Sequence, residues 1–272
     1  MTLVALLVGC GTPHWREDPN DWFDPGTQVS VEEPVEFTDV PYDFPLDDDD
    51  GIGALGGAVF PVDYWTVAYA EDDQYPAESD CESSVHTGLP FEVEGIVTIL
   101  PDFYFKTDGC TYDDEKFYGS YFIEDRTGGL FILGDSKVAH FDMGDKVRMV
   151  VRGARTSWDM DMVVAHDVIE VVERDLPIAY ELHTESLSLD DISRVKRMIG
   201  IVQTDPDTFG EVTLLTDDGV EFHMSLDSEL NRRDVSWPIG TRLSVTGPVI
   251  FSYDIFSLVI MRVGQVEVLD SE

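Results

Sequence analysis

The sequence predicts an all-β fold, and three observations carry that prediction. From Phe91 onward, short runs alternate apolar and polar residues between Gly, Asp and Pro turns, the period-two signature of half-buried strands. The only stretch with helical character, Leu187–Ile192, is short. The strand order of the middle of the chain recurs after residue 200 with altered loop lengths, so two divergent copies of one β unit are the simplest account.

In the first copy, Phe91–Leu100 alternates at period two. A long loop leads to Tyr118–Asp125, and the turn Arg126-Thr127-Gly128-Gly129 leads to Leu130–Leu133. Gly144–Gly153 is the next strand, followed by Met162–Ala165 and Val168–Val172. In the second copy, Gly200–Gln203 answers Gly95–Thr98, and Leu215–Phe222 with its Asp-Asp-Gly turn answers Ile123–Phe131. Gly240–Gly247 answers Gly144–Gly153.

These pieces carry a resemblance. A glycine-containing first strand, Tyr121-Phe122-Ile123-Glu124-Asp125 followed by Gly129-Leu130-Phe131, and Gly144-Asp145-Lys146-Val147-Arg148 through Gly153 resemble the OB-fold of exported bacterial proteins. The resemblance covers roughly residues 90–270 and implies two tandem five-stranded Greek-key barrels, with a plain β-sandwich as the competing architecture. Aromatic residues from Phe103 to Phe122 crowd the first connection, which in OB-folds borders the ligand face, and Trp158 falls in the expected loop between strands four and five. Phe103, Tyr104, Phe105, Tyr121 and Trp158 are therefore the candidate ligand-binding residues, able to stack on sugars or bases. The competing role for the aromatics is to fill the end of a small barrel.

The first ten residues are an apolar run ending Leu7-Val8-Gly9-Cys10. That string resembles the lipobox of bacterial lipoproteins, which implies cleavage before Cys10 and a lipid on its sulfur, although no Lys or Arg precedes it. Ten residues are too few to span the roughly 30 Å of hydrocarbon in a bilayer. With Cys10 lipidated in an oxidising compartment, Cys81 and Cys110 form an even pair suited to a disulfide worth roughly 3.5 kcal/mol. Gly11 after the cysteine favours sorting to the outer membrane. The expected organisation is a signal segment 1–9, an acidic proline-rich tether 10–58, a first unit 59–175 and a second unit 176–272.

The formal charge is −38, with 17 Lys and Arg against 55 Asp and Glu. Residues 1–88 carry 20 of the acids and one base, Arg16, which suits a solvated, self-repelling tether. Few cations are available to displace counterions from phosphates, so generic nucleic-acid binding is disfavoured. Two small basic groups stand out, Arg148-Arg152-Arg155 and Arg194-Lys196-Arg197, and neighbouring acids are abundant enough to neutralise both.

Several strings mimic catalytic or metal motifs. Gly51-Ile52-Gly53-Ala54-Leu55-Gly56 follows four aspartates where a nucleotide-binding fingerprint needs a strand. Gly134-Asp135-Ser136 lacks the Asp-x-x-His partner that its hydrolase counterpart requires. Asp47–Asp50 before Gly51, and Asp159 with Asp161, suit only weak association with divalent cations, because the ligand spacing of a defined calcium loop is missing. The sequence therefore predicts a non-catalytic, lipid-anchored envelope protein that binds or scaffolds, with no cofactor and with envelope proteins or glycans as partners. A carbohydrate- or oligonucleotide-binding module is the alternative, and an accessory subunit of a secreted hydrolase ranks last.

Overall fold

The computed structural model describes residues 35–42, 52, 91–100, 104–106, 116–118, 120–132, 140–157, 160–252 and 254–269. These form an all-β structure with one short helix. A two-residue strand β1 (Phe37–Thr38) is followed by β2 (Phe91–Ile99), then by the short strands β3 (Tyr104–Lys106) and β4 (Lys116–Tyr118). Next come β5 (Tyr121–Glu124), β6 (Gly129–Ile132), β7 (Lys146–Ser157) and β8 (Met160–Glu173). The strands β9 (Ile178–Ala179) and β10 (Glu181–Leu182) lead to a second set: β11 (Val195–Val202), β12 (Glu211–Leu215), β13 (Glu221–Leu226), β14 (Arg242–Ser252), β15 (Ile255–Ile260) and β16 (Val266–Leu269). Helix α1 (Ser228–Arg232) lies between β13 and β14.

The first unit is a closed barrel in the order β2-β5-β6-β8-β7. All its pairings are antiparallel except β6 with β8. Closure depends on β2 serving two partners, β7 along Phe91–Ile96 and β5 along Ile96–Ile99, with a register shift between Val97 and Ile99 that bends the strand. Four register shifts along β7 and β8 absorb extra residues. That is why the two strands expected at Met162–Ala165 and Val168–Val172 are one continuous strand.

The second unit repeats the cycle of pairings within a seven-stranded sheet. β11 pairs with β12, β12 with β13 and β14 with β15 in antiparallel fashion; β13 runs parallel to β15, and β14 returns to β11. β10 and β16 are additions at its edges. Helix α1 starts at Asp227, whose carboxylate accepts the Glu229 N–H at 2.7 Å, and it lowers Leu230 into a core shared with Trp237, Phe222 and Met224. The helix-like stretch expected at Leu187–Ile192 is a 3₁₀ turn at Leu189–Asp191.

One correction concerns the tether, expected to run free from residue 10 to 58. Within it, β1 pairs in parallel with β9, and the Ala179 N–H donates to the Tyr42 hydroxyl at 3.1 Å. Val35, Phe37, Tyr42 and Ile52 pack on the barrel's core, and the Ile52 N–H donates to Asp125 Oδ2 at 2.9 Å. Charge density hides these four apolar side chains in the sequence, but each can bury against the barrel and stabilise docking.

Candidate ligand face

In each unit the second and third strands of the pairing cycle turn one face away from that unit's own core. The two faces have opposite fates. In the first unit, cross-strand register places Phe122, Glu124, Gly129 and Phe131 together on the outer side of β5 and β6. Phe122 and Phe131 are fully buried, their ring centroids 4.7 Å apart. Their cover is the second unit: Val195, Ile250 and Val259 belong to the same apolar cluster. At Gly129 the approach is so close that a β-carbon would lie 2.1 Å from the Ser193 carbonyl oxygen, so only glycine fits.

Glu124 lies in this seam. Its Oε2 accepts the Val195 N–H at 2.9 Å, and Arg194 Nε stands 3.6 Å from Oε1. Burial pushes its carboxyl up to about 8, with Arg194 and the Val195 N–H only partly opposing that rise. Arg262 adds an ion pair across the units to Asp142 at 3.0 Å.

In the second unit the equivalent face is open. Glu211, Thr213 and Leu215 on β12 are half-buried, as are His223 and Ser225 on β13, while Glu221 is exposed. Their alternate neighbours Val212, Leu214, Phe222, Met224 and Leu226 form the core, so the outward assignment follows from period two. The register aligns Thr213, His223 and Ser257 across three strands. Thr213 Oγ1 is 3.4 Å from His223 Nδ1, His223 Nε2 is 3.6 Å from Glu221 Oε1, and Ser257 Oγ donates to Glu211 Oε2 at 3.0 Å. Phe209, 58% exposed, lies on the turn that precedes β12, its N–H donating to Asp207 Oδ1 at 2.7 Å.

The cations are internal glue. Lys146 and Arg148 hold Glu94, Arg174 holds Asp145, Lys196 bridges Asp191 and Glu181, and Arg242 makes a two-pronged contact with Asp217. Arg197 stacks over the Tyr180 ring at 3.7 Å and donates to Thr246 Oγ1. Arg148, Arg194, Lys196 and Arg197, read in the sequence as possible basic patches, are thus engaged within the protein.

The sequence-derived candidates fare unevenly. Tyr121 is a correction: it is 2% exposed, shares the inner side of the barrel with Ile123, Leu130 and Ile132, and meets the edge of Phe141 at 4.9 Å. Burial raises its hydroxyl pKa, and its ring is not available to a ligand. Tyr104 and Phe105 lie on a hairpin in the expected first connection, with Tyr104 opposite Tyr118, Phe105 opposite Phe117 and Lys106 opposite Lys116. Phe103, Trp158, Cys10, Cys81 and Cys110 lie outside the described residues, as do Asp47–Asp50 and Ser136. Sequence reading missed Phe209, Glu211, Thr213, His223 and Ser257. The available signal was alternation: Glu-x-Thr in β12 and Glu-x-His-x-Ser in β13 each place polar side chains on one side of a strand.

No protein-family model matches this sequence, and neither does any curated protein. Among solved structures, the chain is similar to the S. pombe Stn1–Ten1 complex at 18% identity and TM-score 0.23, covering 28% of this chain and 59% of that one. It is also similar to the tetrameric p202 HIN2 structure, at 11% identity and TM-score 0.29 over 68% of this chain and 96% of that one. A third likeness is to the single-stranded DNA binding protein from Thermus aquaticus, at 12% identity and TM-score 0.24 over 66% and 91%. Likenesses of this size carry no function from those proteins to this chain.

Proposed function

We propose that this chain is a non-catalytic binding protein built from two OB-like barrels in tandem, with the first as a base and the second as the ligand-bearing module. The observation that carries this reading is the contrast between the two β faces. The Phe122–Phe131 side of the first barrel is buried under the second unit, whereas the Thr213–His223 side of the second is open to solvent. Of these two faces, only that of the second unit is left for a ligand to reach. The polar groups there lie on an open sheet surface, and their long contacts of 3.4 and 3.6 Å suit recognition better than activation of a nucleophile. The reading is tested by replacing Thr213 and Ser225 with arginine. Ligand capture is expected to fail while the thermal transition stays in place, and unimpaired capture would reject the face.

Location is a further part of the proposal. Leu7-Val8-Gly9-Cys10 supports lipidation at Cys10 and attachment to a bacterial envelope membrane, with the outer membrane favoured by Gly11. Intact mass of membrane-extracted protein tests it: a lipid-bearing chain starting at Cys10 is expected, and an unmodified chain starting at Met1 would refute the anchor.

A further inference from the structure

The N-terminal segment is tied to both sides of the seam between the units. Val35, Phe37, Tyr42 and Ile52 share one apolar cluster with Phe122 and Phe131 of the first barrel and with Val195, Ile250 and Val259 of the second unit. Two routes lead from this segment to the second unit. Along the first, the Glu36 and Thr38 carbonyls accept the N–H groups of Ile178 and Tyr180 at 2.8 and 2.9 Å, in the connection that joins the units. The Tyr180 ring in turn carries Arg197 of β11, 3.7 Å from its centre. Along the second, the Ile52 N–H donates to Asp125 Oδ2 at 2.9 Å, while Asp125 Oδ1 accepts the N–H groups of Thr127 and Gly128 at 2.7 and 2.9 Å. That turn delivers Gly129 against the Ser193 backbone.

The routes converge on Glu124, which binds the Val195 N–H across the seam. Tyr42 lies near it: burial first, and then the Glu124 charge, raise the Tyr42 hydroxyl well above its ordinary range, with Ala179 N–H and Arg194 opposing. Ile52 is seated at Gly95 of β2, where a β-carbon would stand 3.1 Å from Ile52 Cδ1. The attachment is nonetheless short. β1 has two residues and forms its own two-stranded sheet with β9, so neither barrel's hydrogen-bond ladder runs through it. Such a segment can open locally, without unfolding the barrels beneath it.

We propose that residues 35–42 and Ile52 are a latch on the seam: docked, they hold the second unit over the Phe122–Phe131 face; released, they let the units part and that face open while both barrels stay folded. Coupling of this kind is reciprocal, so loosening the seam also loosens the latch. The test is amide hydrogen exchange on the full chain. The Val195 amide reports the seam, the Ile178 and Tyr180 amides report the latch, and Val93 with Met149 and Leu214 with Phe222 report the ladders of the two barrels. Tyr42→Ala is expected to speed exchange at Ile178, Tyr180 and Val195 by at least about tenfold, the scale of a lost buried ring, with the ladder amides unchanged. Tyr42→Phe deletes only the hydroxyl that accepts the Ala179 N–H and should give the same pattern at smaller size. Gly129→Ala, which loosens the seam from the other side, should speed Ile178 and Tyr180. Faster exchange at Ile178 and Tyr180 with Val195 unchanged would show a docked segment that latches nothing. Equal acceleration of every amide in both Tyr42 variants would make the segment part of one indivisible core, and no response at all would remove it from the seam; each of these results overturns the proposal.

Discussion

The outer face of β5 and β6 and the outer face of β12 and β13 occupy the same place in the cycle of strand pairings, yet their chemistry is inverted. Where the first unit pairs Phe122 with Phe131, the second pairs Thr213 with His223. Where the first pairs Glu124 with Gly129 beside the turn, the second pairs Leu215 with Glu221. The fold sets the register, but what covers the strand sets the side chains. Under a neighbouring unit the position takes stacked rings and a glycine that admits a close backbone approach; facing water, it takes groups that hydrogen-bond to solvent or ligand.

The sharpest way to break this comparison is truncation at one register position in both units. Phe131→Ala is expected to cost about 3–5 kcal/mol, because it opens a cavity under a fully buried ring at the seam. Gly129→Ala should cost about 3 kcal/mol, since the added carbon strikes the rigid Ser193 backbone, and denaturant unfolding should then separate into two transitions.

Titration supplies the next effect. The folded Glu124 carboxyl is raised to about 8 from an ordinary 4.5, so the native state keeps a proton that the unfolded chain releases. The contribution of this group is fully present below pH 4.5 and declines as pH rises towards 8. Denaturant midpoints measured across that window should fall with pH in the wild type, and Glu124→Gln should flatten the slope. The carboxyls of Glu94, Glu181 and Asp191, held below their ordinary range against partial burial by Lys146, Arg148 and Lys196, act at lower pH, and the comparison with Glu124→Gln isolates the Glu124 contribution. The smallest effect belongs to His223→Ala, the counterpart of Phe131→Ala. A loss of no more than about 1 kcal/mol is expected by chemical denaturation, as for a half-buried side chain outside the core.

Much of the fold was legible in the sequence because alternation and turn residues are local signals. The strands at Phe91–Ile99, Tyr121–Glu124 and Gly129–Ile132 follow their apolar pattern, and the repeat predicted the recurrence of pairings. What was not legible depends on distant partners. Tyr121 and Phe122 are adjacent aromatics, and the sequence does not say which points inward; register decides, and a one-residue difference reverses the answer. The pairing of β1 with β9 joins residues far apart in the chain, within an acidic stretch whose charge masks Val35, Phe37 and Tyr42. The second unit's face is not legible because the polar alternation of β12 and β13 reads like any solvated strand, whereas the aromatic density of the sequence lies in the first unit.

One β face is covered by the neighbouring unit and its counterpart is reached by solvent. Attenuation of resonances by a soluble gadolinium chelate tests this contrast in the intact chain, since the effect depends on distance to solvent. The side-chain signals of Thr213, His223 and Ser225 are expected to broaden strongly, whereas those of Phe122 and Phe131 should remain sharp. Equal broadening on both faces would contradict the account, because the first face would then lie as open as the second.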